Sequence, residues 1–466
     1  MAEHSDSTHD SAIYSISEID AALEGPTPPS LIAKLTPFER RFLDHSDIFK
    51  KLLHLKRLYS KNPDVEARFE RNRASFTGDG GLTGCYHRVR FEEVFAEINE
   101  KHNGIFGNGQ VKYFLDLGCS PGGFSNWILG ANMNAHGIGI TLPDPEAPFA
   151  LAVDDSHLVD QSRYHVRGVD LNSIVREAMD QGRDPVVPLD SADSNDARSY
   201  DLVIAGAFPT RQGDKLWWER LALVFSQLSI ALSNLSPGGN LVFIIKTKPH
   251  RWLTEVIRLL RLSFTTLSAQ KGQKLHAIRS SCYLICQDFI ATQANTFAYN
   301  QSLHNALAKM TGDTVSSEHL HLFPEISDEE LFMEEQEFVL PILEAVWMHQ
   351  YNAMHFDLVR LSNKEPSPEP VYLLPPPSPT AWRRKLPSEK AFQEGETTCN
   401  NNSTSTHYSP THDTVTQLSP DTHTDKWRQT GRPYRSPQPA LSGCRRGKYY
   451  SFASTGIADS RESWRK

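Results

Sequence analysis

The chain has 466 residues, enough for two or three domains with a sizeable core in at least one. Its formal charge is −8, and residues 364–466 carry about 15 Lys/Arg against about 10 Asp/Glu, leaving the rest near −13. Such an acidic body argues against generic nucleic-acid binding through net charge. The six cysteines (Cys85, Cys119, Cys282, Cys286, Cys399 and Cys444) form neither a CxxC pair nor a zinc-ligand spacing, and no metal site is expected. They fit free thiols in a reducing compartment. The opening MAEHSDSTHD has no apolar leader, and no apolar run reaches 18 residues. The expectation is an intracellular protein of the cytoplasm or nucleus with no membrane partner.

Residues 1–35 form a polar segment, read as mostly disordered, with a short helix over Ser15–Leu23. Residues 36–84 read as a helical flank. Thr36-Pro-Phe-Glu39 is a capping box with proline at the first helical position, and Phe42, Phe49, Leu52, Leu53 and Leu55 continue one apolar stripe to Tyr59. Lys50, Lys51, Lys56, Arg57 and Lys61 make the opposite face basic, which reads first as a solvated face. Gly78–Gly84 reads as a loop, with a helix from Phe91.

Val111–Leu129 is the stretch around which the central part of the chain is organised. Val111–Leu117 is a short apolar run typical of a buried parallel strand, Gly118-Cys-Ser-Pro-Gly-Gly123 turns the chain, and Phe124 begins a helix. A strand, a glycine turn and a helix N-terminus together suit a nucleotide-like ligand. Ser120 breaks the dinucleotide fingerprint G-x-G-x-x-G, and there is no Gly-Lys-Ser/Thr of a P-loop. Strands are then expected over 136–142, 164–169, 201–205, 240–246, 264–267 and 282–287. Helices are expected over 174–179, 216–235 and 253–262. This alternation implies a parallel doubly wound α/β sheet, with the ligand beyond the carboxyl ends of the strands near Gly118, Asp170 and Gly206. Residues 291–363 read as a helical C-terminal flank that opens at Ser327-Asp-Glu-Glu330 and breaks or kinks at Pro341. The Pro/Ser/Thr-rich basic tail, 364–466, has too little apolar surface to offset the entropy of ordering.

The run D-L-G-x-x-P-G-G-F resembles motif I of S-adenosylmethionine-dependent methyltransferases, specifically the FtsJ-like ribose 2′-O-methyltransferases. The pieces GITLP (139–143), DLVIAG (201–206), SQLSIALSNLSPGGNLVFIIK (226–246) and KLHAIRSSCYLIC (274–286) extend the likeness to a fungal-type divergent branch of that family. The resemblance implies a Rossmann-like methyltransferase domain over 85–290. It implies S-adenosylmethionine as cofactor, held by Asp116, Gly118, Cys119, Ser120, Pro121, Gly122, Gly123, Phe124 and Asp170. Thr141 stands where the family places a ribose-binding carboxylate, with Asp144 as a substitute three residues on.

The family's Lys-Asp-Lys-Glu tetrad is implied only in part. Gly206 and Ser281 replace its acids, and the helix before motif I offers Arg90 and Lys101 in place of its first lysine. Lys246 is the remaining catalytic candidate, two residues later than usual, with Lys248 on the same face of the strand. An RNA ribose 2′-hydroxyl is the expected acceptor. A small-molecule hydroxyl and an inactive, RNA-associated scaffold are the alternatives.

Overall fold

The computed structural model describes residues 16–77, 80–143, 146–147, 149–153, 163–189, 199–209, 217–310 and 320–363. The expectations for the tail, for Asp144 and for most of residues 1–35 fall outside these.

The apolar runs form seven strands: β1 (Tyr113–Leu117), β2 (His136–Thr141), β3 (Tyr164–Gly168), β4 (Tyr200–Ala205), β5 (Leu235–Lys246), β6 (Phe264–Gln270) and β7 (Ser281–Phe289). They make one sheet in the order β3-β2-β1-β4-β5-β7-β6. β1 to β5 pair in parallel, as the near-continuous apolar sequences of β1, β2, β4 and β5 predict; β3, YHVRG, is the weakly apolar edge. β7 corrects the expectation of a wholly parallel sheet: it runs antiparallel between β5 and β6. The physical reason lies in the link from β6 to β7. It spans only 271–280 and carries no helix, whereas a parallel return needs a crossover of a dozen or more residues.

Along β1 the side chains alternate between two cores. Leu115 and Leu117 face one, with Ile138 and Ile140 of β2; Phe114 faces the other, with Leu202 and Ile204 of β4. The second core is closed by α6 (Gly80–Lys101) and α7 (Gly123–Ala131). α6 is longer than expected, since residues 80–84 are its first turn rather than a loop. Those residues are helical despite the poor helix propensity of their three glycines.

The first core continues into the flanks. α3 (Pro37–His45) and α4 (Asp47–Lys61) are two helices where the sequence reads as one, because Ser46 leaves helical geometry and caps α4 through the Phe49 N–H. The Thr36/Glu39 box forms in both directions, at 3.1 and 3.2 Å. Between α4 and α6 lies α5 (Pro63–Thr77), which the apolar pattern does not announce. α1 (Ile16–Glu24) and the short α2 (Pro29–Ile32) precede α3.

After β3 come α8 (Leu171–Asp180), then α9 (Trp217–Asn234) and α10 (Arg251–Ser263) on either side of β5. The C-terminal flank holds α11 (Gln293–Ala308) and α12 (Asp328–Ser362). α12 starts at the Ser327/Glu330 capping box and passes through Pro341 as one helix, so the expected break is absent. Its Trp347 is fully buried, stacks on Phe49 at 4.6 Å and donates its indole N–H to the Thr247 carbonyl at 2.8 Å. That bond ties both flanks to the turn after β5. Trp347→Ala leaves a cavity and an orphaned carbonyl, and should cost about 3–5 kcal/mol in urea denaturation of the full chain. A loss below about 1 kcal/mol would show that the flanks and the sheet do not share a core.

Candidate active site

The strand order reverses between β1 and β4, and a crevice of about 330 Å³ opens there beyond the strand ends. Gly118 and Ser120 line it after β1, Ile140, Thr141 and Leu142 after β2, and Asp170 to Asn172 at the start of α8. Ala207 to Pro209 and the first turns of α9, from Trp218, close it. Gly118, Ser120 and Asp170 are therefore three expected residues that do meet at one cavity.

Gly118 is required by geometry. Its φ of +86° is left-handed, and a Cβ there would lie 2.5 Å from the Ala207 Cα. Its N–H and that of Cys119 both donate to the Ile140 carbonyl, at 2.8 and 3.0 Å, which joins the β1 turn to the end of β2. Asp170 caps α8, accepting from the Asn172 N–H at 3.1 Å through one oxygen while it lines the crevice.

Six other residues expected to touch the cofactor do not line the crevice: Asp116, Cys119, Pro121, Gly122, Gly123 and Phe124. A Cβ on Gly123 would meet the Arg88 carbonyl of α6 at 2.3 Å, so that glycine serves helix packing rather than ligand approach. The Asp116 carboxylate is 1 % exposed and accepts from the Ser125 hydroxyl at 2.6 Å; burial, partly opposed by that bond, pushes its pKa up to about 7. Ser125 also meets the Tyr164 hydroxyl at 2.8 Å. Burial drives the Cys119 thiol far above its ordinary value. Phe124 packs among Phe91, Phe95 and Tyr283. These residues hold the loop from behind.

Two groups not assigned to the cofactor from the sequence line the crevice, Trp218 having been read with Trp217 only as packing or cover. Glu146 lies there, after β2, and is the described acid that comes after Thr141. Trp218 lines the crevice too, and its buried indole N–H has no hydrogen-bond partner among the described residues. The tandem Trp217-Trp218 at a helix start is the available signal, but by itself it points only to packing or cover. Trp217 is 42 % exposed and does not line the crevice.

The tetrad positions have a different character. A Cβ on Gly206 would face the Ile244 Cδ1 at 3.4 Å and the Phe124 ring at 3.7 Å. Apolar carbon thus borders the place where the family's acid would sit. Arg90 is paired with Glu93 at 2.6 Å and stacked over Tyr86, so it serves the helix. Lys246 ends β5 opposite Ser281 of β7. Although the residue is exposed, protein packed around its ammonium lowers its pKa to about 8, helped by repulsion from Arg220 and Lys248. It does not line the crevice.

Residues 95–289 match the family model of the FtsJ-like methyltransferases. The chain carries an FtsJ-like methyltransferase domain. The match covers β1 to β7 and leaves most of the helical flanks outside it. No curated protein matches the chain. Among solved structures, it is similar to one described as a ribosomal RNA methyltransferase of Plasmodium falciparum. That pair has 17% identity, a TM-score of 0.29, and coverage of 44% of this chain and 100% of the other. It is also similar to human methyltransferase-like protein 13 in complex with SAH, with 15% identity, coverage of 44% and 86%, and a TM-score of 0.25. For the N-methyltransferase NodS of Bradyrhizobium japonicum with S-adenosyl-l-homocysteine the values are 15%, 60% and 100%, and 0.24. Likenesses this weak decide nothing about the acceptor.

In the methyltransferase domain, Gly118→Ala forces a left-handed alanine against the Ala207 backbone. It should lower the melting temperature by several degrees, a strain of roughly 1–3 kcal/mol. A melt identical to wild type would show that the β1 turn is not fixed by this contact.

Proposed function

We propose that the domain transfers a methyl group from S-adenosylmethionine to a ribose 2′-hydroxyl of RNA. The observation that carries the reading is the crevice at the β1/β4 reversal, lined by Gly118, Ser120 and Asp170, in a domain of this family. A volume of about 330 Å³ suits a small cofactor, since such sites span roughly 300–1,000 Å³. The unpartnered indole N–H of Trp218 is a donor that a bound ligand would satisfy, and Asp170 has an oxygen not used by its cap. The diol of a ribose would meet Thr141 and Glu146, with the acid as the stronger acceptor of two hydrogen bonds.

When bound, S-adenosylmethionine supplies an electrophilic methyl group, so the protein's main task is to hold the nucleophile in line. A ribose hydroxyl must also lose its proton. Lys246, with its pKa lowered to about 8, is the base we assign, because a neutral amine is available there slightly above neutrality. Rate should therefore rise as pH increases through about 8 and then level, as the ammonium gives way to the amine. Lys246→Met should lower kcat by about 10²–10⁴ and remove that step from the profile. Activity of Lys246→Met equal to wild type would end its catalytic role.

A second reading has its own observation, the apolar contact of Ile244 and Phe124 facing Gly206. On it, the domain binds the cofactor without transferring methyl. Transfer of tritiated methyl into total RNA and into a metabolite extract separates the cases. Label in RNA riboses supports the proposal, label only in small molecules replaces the acceptor, and label in neither supports the second reading.

A further inference from the structure

Two aromatic side chains line the crevice among the described residues, and they differ in exposure. Trp218 is half-buried, whereas Phe208 is 46 % exposed. The backbone that carries Phe208 is nonetheless fixed. The Gly206 N–H donates to the Leu117 carbonyl at 2.9 Å, which ties the chain to β1 beyond the end of β4. Ala207 is bonded on both sides to the buried amide of Gln227. Its N–H donates to Oε1 at 2.8 Å, and Nε2 donates to its carbonyl at 3.1 Å. Pro209 follows and steers the Phe208 backbone away from helical geometry. A phenyl ring held at a cavity margin with this much surface in water gains free energy when a flat ring covers it.

The strand order decides what that ring can be. With the ribose of the cofactor past β2, at Thr141 and Glu146, its two ends point toward β3 and toward β1 and β4. The β3 side suits the adenine: Val169 and Leu171 offer apolar side chains to its faces, and the Asp170 oxygen not used by the cap accepts from its exocyclic amine. The sulfonium end then belongs beside the Gly118 turn, on the side of β4. Phe208, three residues past the end of β4, borders that end. The ends of β3 and β4 are three strand spacings apart, roughly 14 Å, so a purine at Asp170 does not also cover Phe208. The ring is left to whatever molecule comes to the methyl group.

We propose that Phe208 is the platform on which the base of the acceptor nucleotide stacks. The proposal rests on the methyltransferase reading, from which it takes the direction of the cofactor. Stacking uses the π face that every base has, so position 208 recognises that a base is present and not which base it is. A paired base inside a duplex has both faces covered, so the accepting nucleotide lies in an unpaired stretch of RNA. Recognition through an uncharged ring also suits a protein of net charge −8, which gathers phosphates poorly by charge alone.

The probe is a short single-stranded RNA with 2-aminopurine at its centre, a base whose fluorescence falls when it stacks. It is titrated into the full chain saturated with S-adenosylhomocysteine. Wild type should quench it saturably, and unlabelled single-stranded RNA should compete at least about tenfold better than the same RNA in a duplex. Phe208→Trp should retain the quenching. Phe208→Leu keeps apolar bulk without a π face; it should weaken RNA binding at least about tenfold and leave S-adenosylhomocysteine affinity unchanged. Phe208→Ala is the second variant should the first not fold. Trp217→Leu, which alters an exposed aromatic outside the crevice, should behave as wild type. No quenching by wild type with S-adenosylhomocysteine bound, RNA binding by Phe208→Leu equal to wild type, or duplex competing as well as single strand would overturn the proposal and leave the methyltransferase reading standing. A loss of S-adenosylhomocysteine affinity in Phe208→Leu as large as the loss for RNA would overturn it too, by making the ring a wall for the cofactor. Wild type that binds no S-adenosylhomocysteine ends the methyltransferase reading, and the proposal with it.

Discussion

The turn Lys246–His250 is held from two sides, and the sheet is joined to both helical flanks through that grip. From the C-terminal flank, Trp347 bonds the Thr247 carbonyl. From the N-terminal flank, Glu39 reaches both Lys248 and His250. Glu39 is fully buried, and burial alone would raise its pKa. The His250 hydrogen bond and the charges of His250 and Lys248 outweigh this and leave it below the ordinary carboxylate value. A carboxylate with a depressed pKa stabilises the fold above its unfolded value near 4.5, and that contribution is lost as pH falls through the folded one. Attachment of the flanks is thus partly ionic, and it weakens in acid.

This grip separates two jobs that meet in a methyltransferase domain. The crevice between β1 and β4 is built by the sheet alone, from Gly118, Thr141 and Asp170 at the strand ends. The turn carrying Lys246 and Lys248 is placed by the sheet and flanks together, because Glu39 of α3 and Trp347 of α12 both hold it. An acidic protein can in this way hold the basic residues Lys246 and Lys248 close together at one strand end. The charge that matters is set by packing, not by the total.

Much of the fold is legible in local chemistry. The boxes at Thr36/Glu39 and Ser327/Glu330 announce two helix starts, and β1, β2, β4 and β5 are mostly apolar runs ended by glycine, proline or a charge. The illegible features depend on tertiary contacts. Residues 80–84 are helical although three of them are glycine, and α12 continues past Pro341. The single antiparallel strand results from a short link whose length carries no apolar signature. At the site, motif I locates Gly118 and Ser120, and the third strand locates Asp170. Motif membership does not say which way a residue faces. Asp116, Cys119 and Phe124 point into the interior, while Glu146 arrives from a loop without a pattern of its own and Trp218 from the first turn of an expected helix. Lys56 reads as solvated in the sequence because its helical face is basic, whereas in the fold the residue is half-buried.

The central claim is that the crevice beyond β1 and β4 binds the adenosyl cofactor. Calorimetric titration of S-adenosylhomocysteine into the full chain, with tryptophan fluorescence recorded in parallel, tests it most directly. The account predicts saturable one-to-one binding with a change in indole emission that is lost in Trp218→Phe, while Trp217→Phe keeps it. No heat at any concentration, or binding with an emission change that survives in Trp218→Phe, would contradict it.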